Sequence, residues 1–220
     1  MRNLSLLLIT LMAILTGCIN SDTIDGPVDM TTWDIATFEG NDGQRAAFTV
    51  RKGDDSPEVT LVYPREIEME NLKAGDRVYI AYIPVDNIPY RSGEITLKSI
   101  ARITQGGVEV APFDPADGWD ADPVYVVTIW RTGNFINIYC RLPYYTDPRR
   151  FGITADEATV GTACPQLYLN HQLPESINSF DRAYYASFDI SDVWQLGTTL
   201  GVDLHVNNSN LPTTVYHFSK

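Results

Sequence analysis

Cys140 and Cys164 are the only thiols beyond Cys18 in this 220-residue chain. An even pair in an oxidising compartment can form a disulfide. A Cys140–Cys164 bridge would close the intervening loop and add roughly 3 kcal/mol. Cys140 shares a strand face with Ile136, Ile138 and Leu142, so it points to a core, where separate buried thiols are also common. Neither cysteine sits in a nucleophile signature with a histidine. The histidines are His171, His205 and His217. They form no HExxH helix motif. His205 and His217 could meet across the last hairpin and, with a carboxylate, hold zinc. Polar side chains on an exposed sheet face are the simpler reading, and no metal site or cofactor is assigned. Asp114, Asp117, Asp120 and Asp122 cluster, but without the spacing, glycine and terminal glutamate of a calcium loop. Glu66, Glu68 and Glu70 would repel one another on one strand face, which places them in an exposed loop or edge. No G-x-S-x-G elbow, P-loop or G-x-G-x-x-G motif is present. No catalytic residue is assigned, and a non-enzymatic protein is expected.

Aromatic side chains offer binding chemistry instead. Tyr144 and Tyr145 lie in a Pro-flanked loop and Trp119 in an Asp- and Pro-rich stretch, where exposed rings could stack on a sugar or anchor a partner. In the neighbours Tyr184 and Tyr185, one ring must face outward, because strand side chains alternate. Tyr79 and Lys98 are candidates for an exposed sheet face. Sixteen basic against twenty-eight acidic residues give a net charge of −12. That balance excludes general nucleic-acid binding, which depends on Lys and Arg displacing counterions. It also excludes adhesion to anionic lipid through a basic face.

The first eighteen residues place the chain. Arg2 is followed by an apolar run from Leu4 to Leu15. The run is too short for a bilayer about 30 Å thick and reads as a secretion signal. Leu15-Thr16-Gly17-Cys18 resembles the lipobox of bacterial lipoproteins. The resemblance implies removal of residues 1–17 and acylation of Cys18, with palmitate-type chains contributing about 0.8 kcal/mol per buried methylene. Residues 18–28 then form a flexible tether. Asp22-Thr23-Ile24 resembles the O-glycosylation pattern of Bacteroidetes, with Thr23 as acceptor. The expected location is the cell envelope, as an outer-membrane lipoprotein on its periplasmic or surface face.

The remainder is β-rich, with turn clusters at the spacing of sandwiches and barrels. Strands are predicted over Trp33–Phe38, Ala46–Val50, Val59–Tyr63, Arg77–Val85 and Glu94–Ile103. Five strands with a longer third connection predict a small OB-like barrel over 29–110, with an SH3-like barrel or half a sandwich as the alternative. The stretch 111–123 reads as a linker. Seven strands from Val124 onward predict an Ig-like antiparallel β-sandwich over 124–220. Gly133-Asn134 is a tight hairpin turn, and Ser191 is expected to cap a short helical turn.

The lipobox, the five-strand block, Gly133-Asn134-Phe135-Ile136-Asn137-Ile138 and Arg182-Ala183-Tyr184-Tyr185-Ala186-Ser187-Phe188-Asp189-Ile190-Ser191 together resemble the NigD-like lipoproteins of Bacteroidetes. The resemblance spans nearly the whole mature chain. It implies an N-terminal OB domain, a C-terminal β-sandwich, and a binding or accessory role at the envelope toward a protein, peptide or glycan. Bacteriocin immunity is the alternative it implies, and an envelope hydrolase a weaker one. It carries over no catalytic residue.

Overall fold

Alternating apolar residues build the first unit. In a computed structural model, which describes residues 30–113, 121–144, 150–173 and 180–220, five strands close into a barrel: β1 (Thr32–Asn41), β2 (Ala46–Val50), β3 (Val59–Tyr63), β4 (Arg77–Pro84) and β5 (Gly93–Arg102). The order around the barrel is β1-β2-β3-β5-β4, and β3 and β5 close it as a parallel pair. This is OB-type connectivity. One parity of each strand fills the interior: Ala36 and Phe38 of β1, Phe48 and Val50 of β2, Leu61 of β3, and Val78, Ile80 and Tyr82 of β4. A side chain that size removed from water contributes about 1.5–3 kcal/mol. Glu66, Glu68 and Glu70 lie exposed in the β3–β4 connection.

The second unit contains β6 (Thr104–Ala111), β7 (Tyr125–Thr132), β8 (Phe135–Pro143), β9 (Phe151–Asp156), β10 (Gln166–His171), β11 (Asp181–Asp189), β12 (Gly201–His205) and β13 (Val215–Ser219). Their order is β13-β12-β10-β9-β6-β11-β8-β7. β6 divides this sheet into two layers. Its first half, Thr104 to Gly107, pairs with β11, and its second half, Val108 to Ala111, pairs with β9. Gly106 and Gly107 sit where the strand passes from one layer to the other. Between the layers lies a core that includes Ile136, Ile138, Leu142, Ile153, Leu167, Leu169, Phe188 and Leu204. The result is a β-sandwich, all-β as expected. Its pairing is mixed: β6 runs parallel to both β9 and β11, and β10 parallel to β12.

Two local expectations are corrected. The sequence spacing runs the barrel block to residue 110, ahead of a linker at 111–123; the change of sheet instead falls at Ile103, directly after β5. The reason is non-local: β6 finds its partners in β9 and β11, far along the chain. Barrel and sandwich belong to one contact unit, Thr31–Lys220. The helical turn α1 (Ser191–Trp194) is not capped by the Ser191 hydroxyl. The Asp189 carboxylate accepts a 2.8 Å hydrogen bond from the Ser191 backbone N–H instead.

The parity left over by each core joins barrel to sandwich. Ile35, Thr37, Arg77 and Tyr79 point outward from the barrel, and Asn137, Tyr139, Tyr185 and Ser187 outward from the β8–β11 layer. At the centre Arg77 is only 6% exposed. Its guanidinium donates to Ser187 Oγ at 3.0 Å, Thr37 Oγ1 at 2.8 Å, Asn137 Oδ1 at 3.2 Å and the Ile35 carbonyl at 3.4 Å. It also lies 4.2 Å from the centre of the Phe135 ring. Gly133, at φ +58°, turns the β7–β8 hairpin beside Arg51, whose Nε would stand 3.1 Å from any Cβ there.

Candidate functional site

Next to Arg77 the same junction opens into a cleft of about 310 Å³. β1 supplies Trp33 and Asp34, β4 supplies Tyr79, β7 supplies Thr128 and Trp130, β8 supplies Tyr139 and β11 supplies Tyr185. Arg51, Lys52 and Tyr90 complete the barrel wall.

Four rings run through this wall as one stack. Trp33 and Tyr79 have centroids 5.6 Å apart, Tyr79 and Tyr185 4.0 Å, and Tyr185 and Tyr139 4.6 Å, all near parallel. The inner faces cover one another. What remains for a ligand is the outer surface of Trp33, which is 55% exposed, together with ring edges and hydroxyls. Tyr185 donates its hydroxyl to Tyr79 Oη at 3.2 Å. Burial, reinforced by Tyr79 and Tyr139, pushes the Tyr185 hydroxyl well above the usual phenol range, so it stays a neutral donor.

Asp34 is the only carboxylate among the described residues lining the cleft. It lies on the interior parity of β1, with Ala36 and Phe38. Tyr82 donates to its Oδ2 at 3.0 Å and Tyr90 to its Oδ1 at 3.2 Å. Burial outweighs these two hydrogen bonds and raises its pKa to about 6. Burial and the nearby carboxylate raise Tyr90 to about 12. Across the cleft, Arg51 pairs with Glu58 at 2.9 Å and Lys52 stands 5.8 Å from the centre of the Tyr90 ring. The cleft therefore offers an exposed indole, phenol hydroxyls, two cations and one titratable acid. Paired-carboxylate hydrolysis needs a second acid at a fixed separation, and among the described residues lining these walls Asp34 stands alone.

The cleft is not where the sequence pointed. Cys18, Thr23, Trp119 and Tyr145, and with them Asp114, Asp117 and Asp120, lie outside the described residues. Tyr144 stacks on Phe180 at 5.1 Å, with Arg182 5.4 Å over its ring, at the end of the β8–β11 pair. Tyr79 does line the cleft; Lys98 is exposed on β5 and does not. Of the two neighbouring tyrosines, Tyr184 packs against the sandwich core and Tyr185 faces the barrel. Asp122 Oδ2 accepts from the Leu173 N–H, which ties it to the end of β10.

No disulfide joins Cys140 to Cys164. Cys140 is fully buried in β8, with its Sγ 3.7 Å from the Tyr184 carbonyl, while Cys164 lies before β10 beside Asp203. The two sulfurs lie in different environments, so of the two arrangements the sequence leaves open, bridged or separate, this structure has them separate. His205 and His217 are not cross-strand partners either: His205 pairs with Val215, and His217 with Asp203. Burial, with the Asp203 carboxylate adding to it, pushes the Cys164 thiol up, the opposite of an activated nucleophile. His171 is fully buried, with its Nδ1 3.3 Å from the Asp122 carbonyl and its ring edge-on to Phe151.

No family model matches the sequence, and no curated protein matches it. Solved structures do. A protein of unknown function from Bacteroides vulgatus superposes with a TM-score of 0.67 at 17% identity, over 86% of this chain and 90% of that one. A NigD-like immunity protein from Bacteroides caccae superposes at 0.60 and 16% identity, over 86% and 92%. The fold is the NigD-like fold. A protein described as a candidate lipoprotein from Bacteroides fragilis shares it, with a TM-score of 0.60 at 13% identity over 86% and 97%. The barrel followed by a sandwich that the sequence resemblance implied is thus the architecture of this chain, and it superposes on these neighbours, one of them NigD-like.

Proposed function

We propose that this NigD-like chain is a lipid-anchored envelope protein that binds a saccharide, without transforming it, in the aromatic cleft between barrel and sandwich. The observation that carries the reading is the exposed Trp33 at the open end of a four-ring stack, with Asp34, Arg51 and Lys52 within the same cleft. An indole face covers the apolar face of a sugar ring, and flanking charged groups bond its hydroxyls. The Leu15-Thr16-Gly17-Cys18 pattern supports anchoring, and the candidate lipoprotein with the same fold accords with it. A rigid pair of β units would then hold the cleft above the lipid surface.

The test is a tryptophan-fluorescence titration with a panel of soluble neutral and acidic oligosaccharides. Saturable quenching by at least one of them is expected. Trp33→Ala should weaken that binding at least about tenfold, with far-ultraviolet circular dichroism unchanged. Binding that survives both Trp33→Ala and Tyr139→Ala would move the site elsewhere.

Immunity is the second reading, favoured by the name of the Bacteroides caccae neighbour. It expects the intact chain to protect a toxin-sensitive strain and Cys18→Ser to abolish protection.

A further inference from the structure

The outer edge of the second sandwich layer gathers a different set of groups. Asp203 of β12 faces His217 of β13 directly across the antiparallel ladder, and faces Gln166 of β10 on its other side. Cys164 lies two residues before the start of β10 and brings its sulfur to the same carboxylate. One ligand atom each from Cys164, Asp203 and His217 lies within 4.8 Å of the other two. His217 Nδ1 and Asp203 Oδ1 are 2.7 Å apart. Gln166 Nε2 donates to Asp203 Oδ2 at 3.2 Å and to the Cys164 carbonyl at 2.9 Å, so one amide holds both partners in place. Its Oε1 lies 2.7 Å from His205 Nε2, and His205 in turn stacks on Tyr168. Gly201 makes the room. A Cβ there would come within 3.1 Å of His217 Cε1 and 2.7 Å of the Phe218 carbonyl oxygen.

We propose that Cys164, Asp203 and His217 bind one zinc-class divalent cation, with Gln166 and His205 holding the carboxylate in place. Thiolate, imidazole and carboxylate are the donors that a borderline cation takes together; calcium and magnesium take oxygen alone. Bonds of about 2.0–2.3 Å at a tetrahedral centre place ligand atoms roughly 3.3–3.7 Å apart. The Asp203–His217 contact therefore opens by somewhat under about 1 Å on loading, a change that an edge strand can absorb. Thiolate and carboxylate together neutralise the two positive charges, and the imidazole binds uncharged. As the sulfur–metal bond forms, the thiol proton of Cys164 leaves to the buffer. Three protein ligands leave the fourth position to water, the arrangement of an open zinc site. None of these residues lines the aromatic cleft, so this proposal does not depend on the saccharide reading.

Cobalt(II) serves as the spectroscopic probe, added to the full reduced chain in detergent and displaced afterwards by zinc. One equivalent per chain should give tetrahedral visible bands and a thiolate-to-cobalt charge-transfer band. Cys164→Ser should abolish the charge-transfer band, His217→Gln should weaken binding at least about tenfold, and Cys140→Ser should leave both unchanged. A measurement on the unaltered chain guards against variants that misfold: saturating zinc should protect Cys164 from alkylation, mapped by mass spectrometry. No charge-transfer band, a band that persists undiminished in Cys164→Ser, or equal alkylation with and without zinc overturns the proposal.

Discussion

Tyr79 of the barrel and Tyr185 of the sandwich lie face to face, with ring centroids 4.0 Å apart. Each stands on the side of its strand that its own core does not use. The contact therefore belongs to neither unit alone and stabilises both as a pair. Tyr185→Ala should lower unfolding stability by about 2 kcal/mol, the cost of a large side chain removed from a partly buried site. Tyr185→Phe, which keeps the ring and loses the hydroxyl's hydrogen bonds with Tyr79, at 3.2 Å, and with Tyr139, should cost about 1 kcal/mol. Urea unfolding of the two variants separates the ring from its hydroxyl.

Arg77 is the polar counterpart of that contact. Burial pulls its pKa down to about 10, with Asp189 and Glu58 opposing the shift, so it remains charged at neutral pH. Its hydrogen bonds go to neutral oxygens of four residues on three strands, β1, β8 and β11. Arg77→Ala leaves Asn137 and Ser187 buried without their cationic donor and should cost about 3–5 kcal/mol. Arg77→Lys places one compact ammonium where a planar fork was needed and should recover only part of that loss. Chemical denaturation midpoints with an unchanged slope against denaturant are the readout.

Asp34 makes stability depend on pH. Its folded pKa of about 6 stands above the ordinary value of 3.8, so the folded state binds the proton more tightly. Stability from this group is therefore greatest below about pH 4 and falls as pH rises through 6, after which the full cost of the buried charge is present. Asp34→Asn should remove this slope and raise stability at pH 7 to 8 by on the order of 2 kcal/mol. Thermal unfolding of both proteins between pH 4 and 8 checks the sign, and carbon-13 NMR of the carboxyl gives the titration directly.

The cleft should respond to the same proton. Below about pH 6 Asp34 becomes a donor as well as an acceptor, whereas Tyr185 does not titrate in this range. Saccharide affinity should change between pH 5 and 7, and Asp34→Asn should hold it constant. A parallel pH profile in wild type and Asp34→Asn would assign the change to another group.

The barrel strands were legible because alternation suffices where one face fills a core: Ala46, Phe48 and Val50 are all buried as their spacing requires. Cys140 likewise faces the core with Ile136 and Ile138. β6 was not legible. Its sequence, Thr-Gln-Gly-Gly-Val-Glu-Val-Ala, is mostly exposed or half-buried, and parallel partners far along the chain decide its place. The cleft was hidden for the same reason. Trp33, Tyr79, Tyr139 and Tyr185 come from four distant strands, and only register brings them together. The adjacent Tyr144 and Tyr145 drew attention by proximity, yet Tyr144 serves to pack Phe180. His217 was visible as a ligand type, but its partners Asp203 and Cys164 depend on which strands flank β12.

β6 also decides what can be inherited or moved as a module. A cut within 111–123 would leave β9 and β11 each with an unsatisfied rim, ready to recruit a strand from a neighbouring molecule. The portable unit begins at Thr104, two residues past the last residue of the barrel, so a sandwich excised at the Asp- and Pro-rich stretch would swap or aggregate.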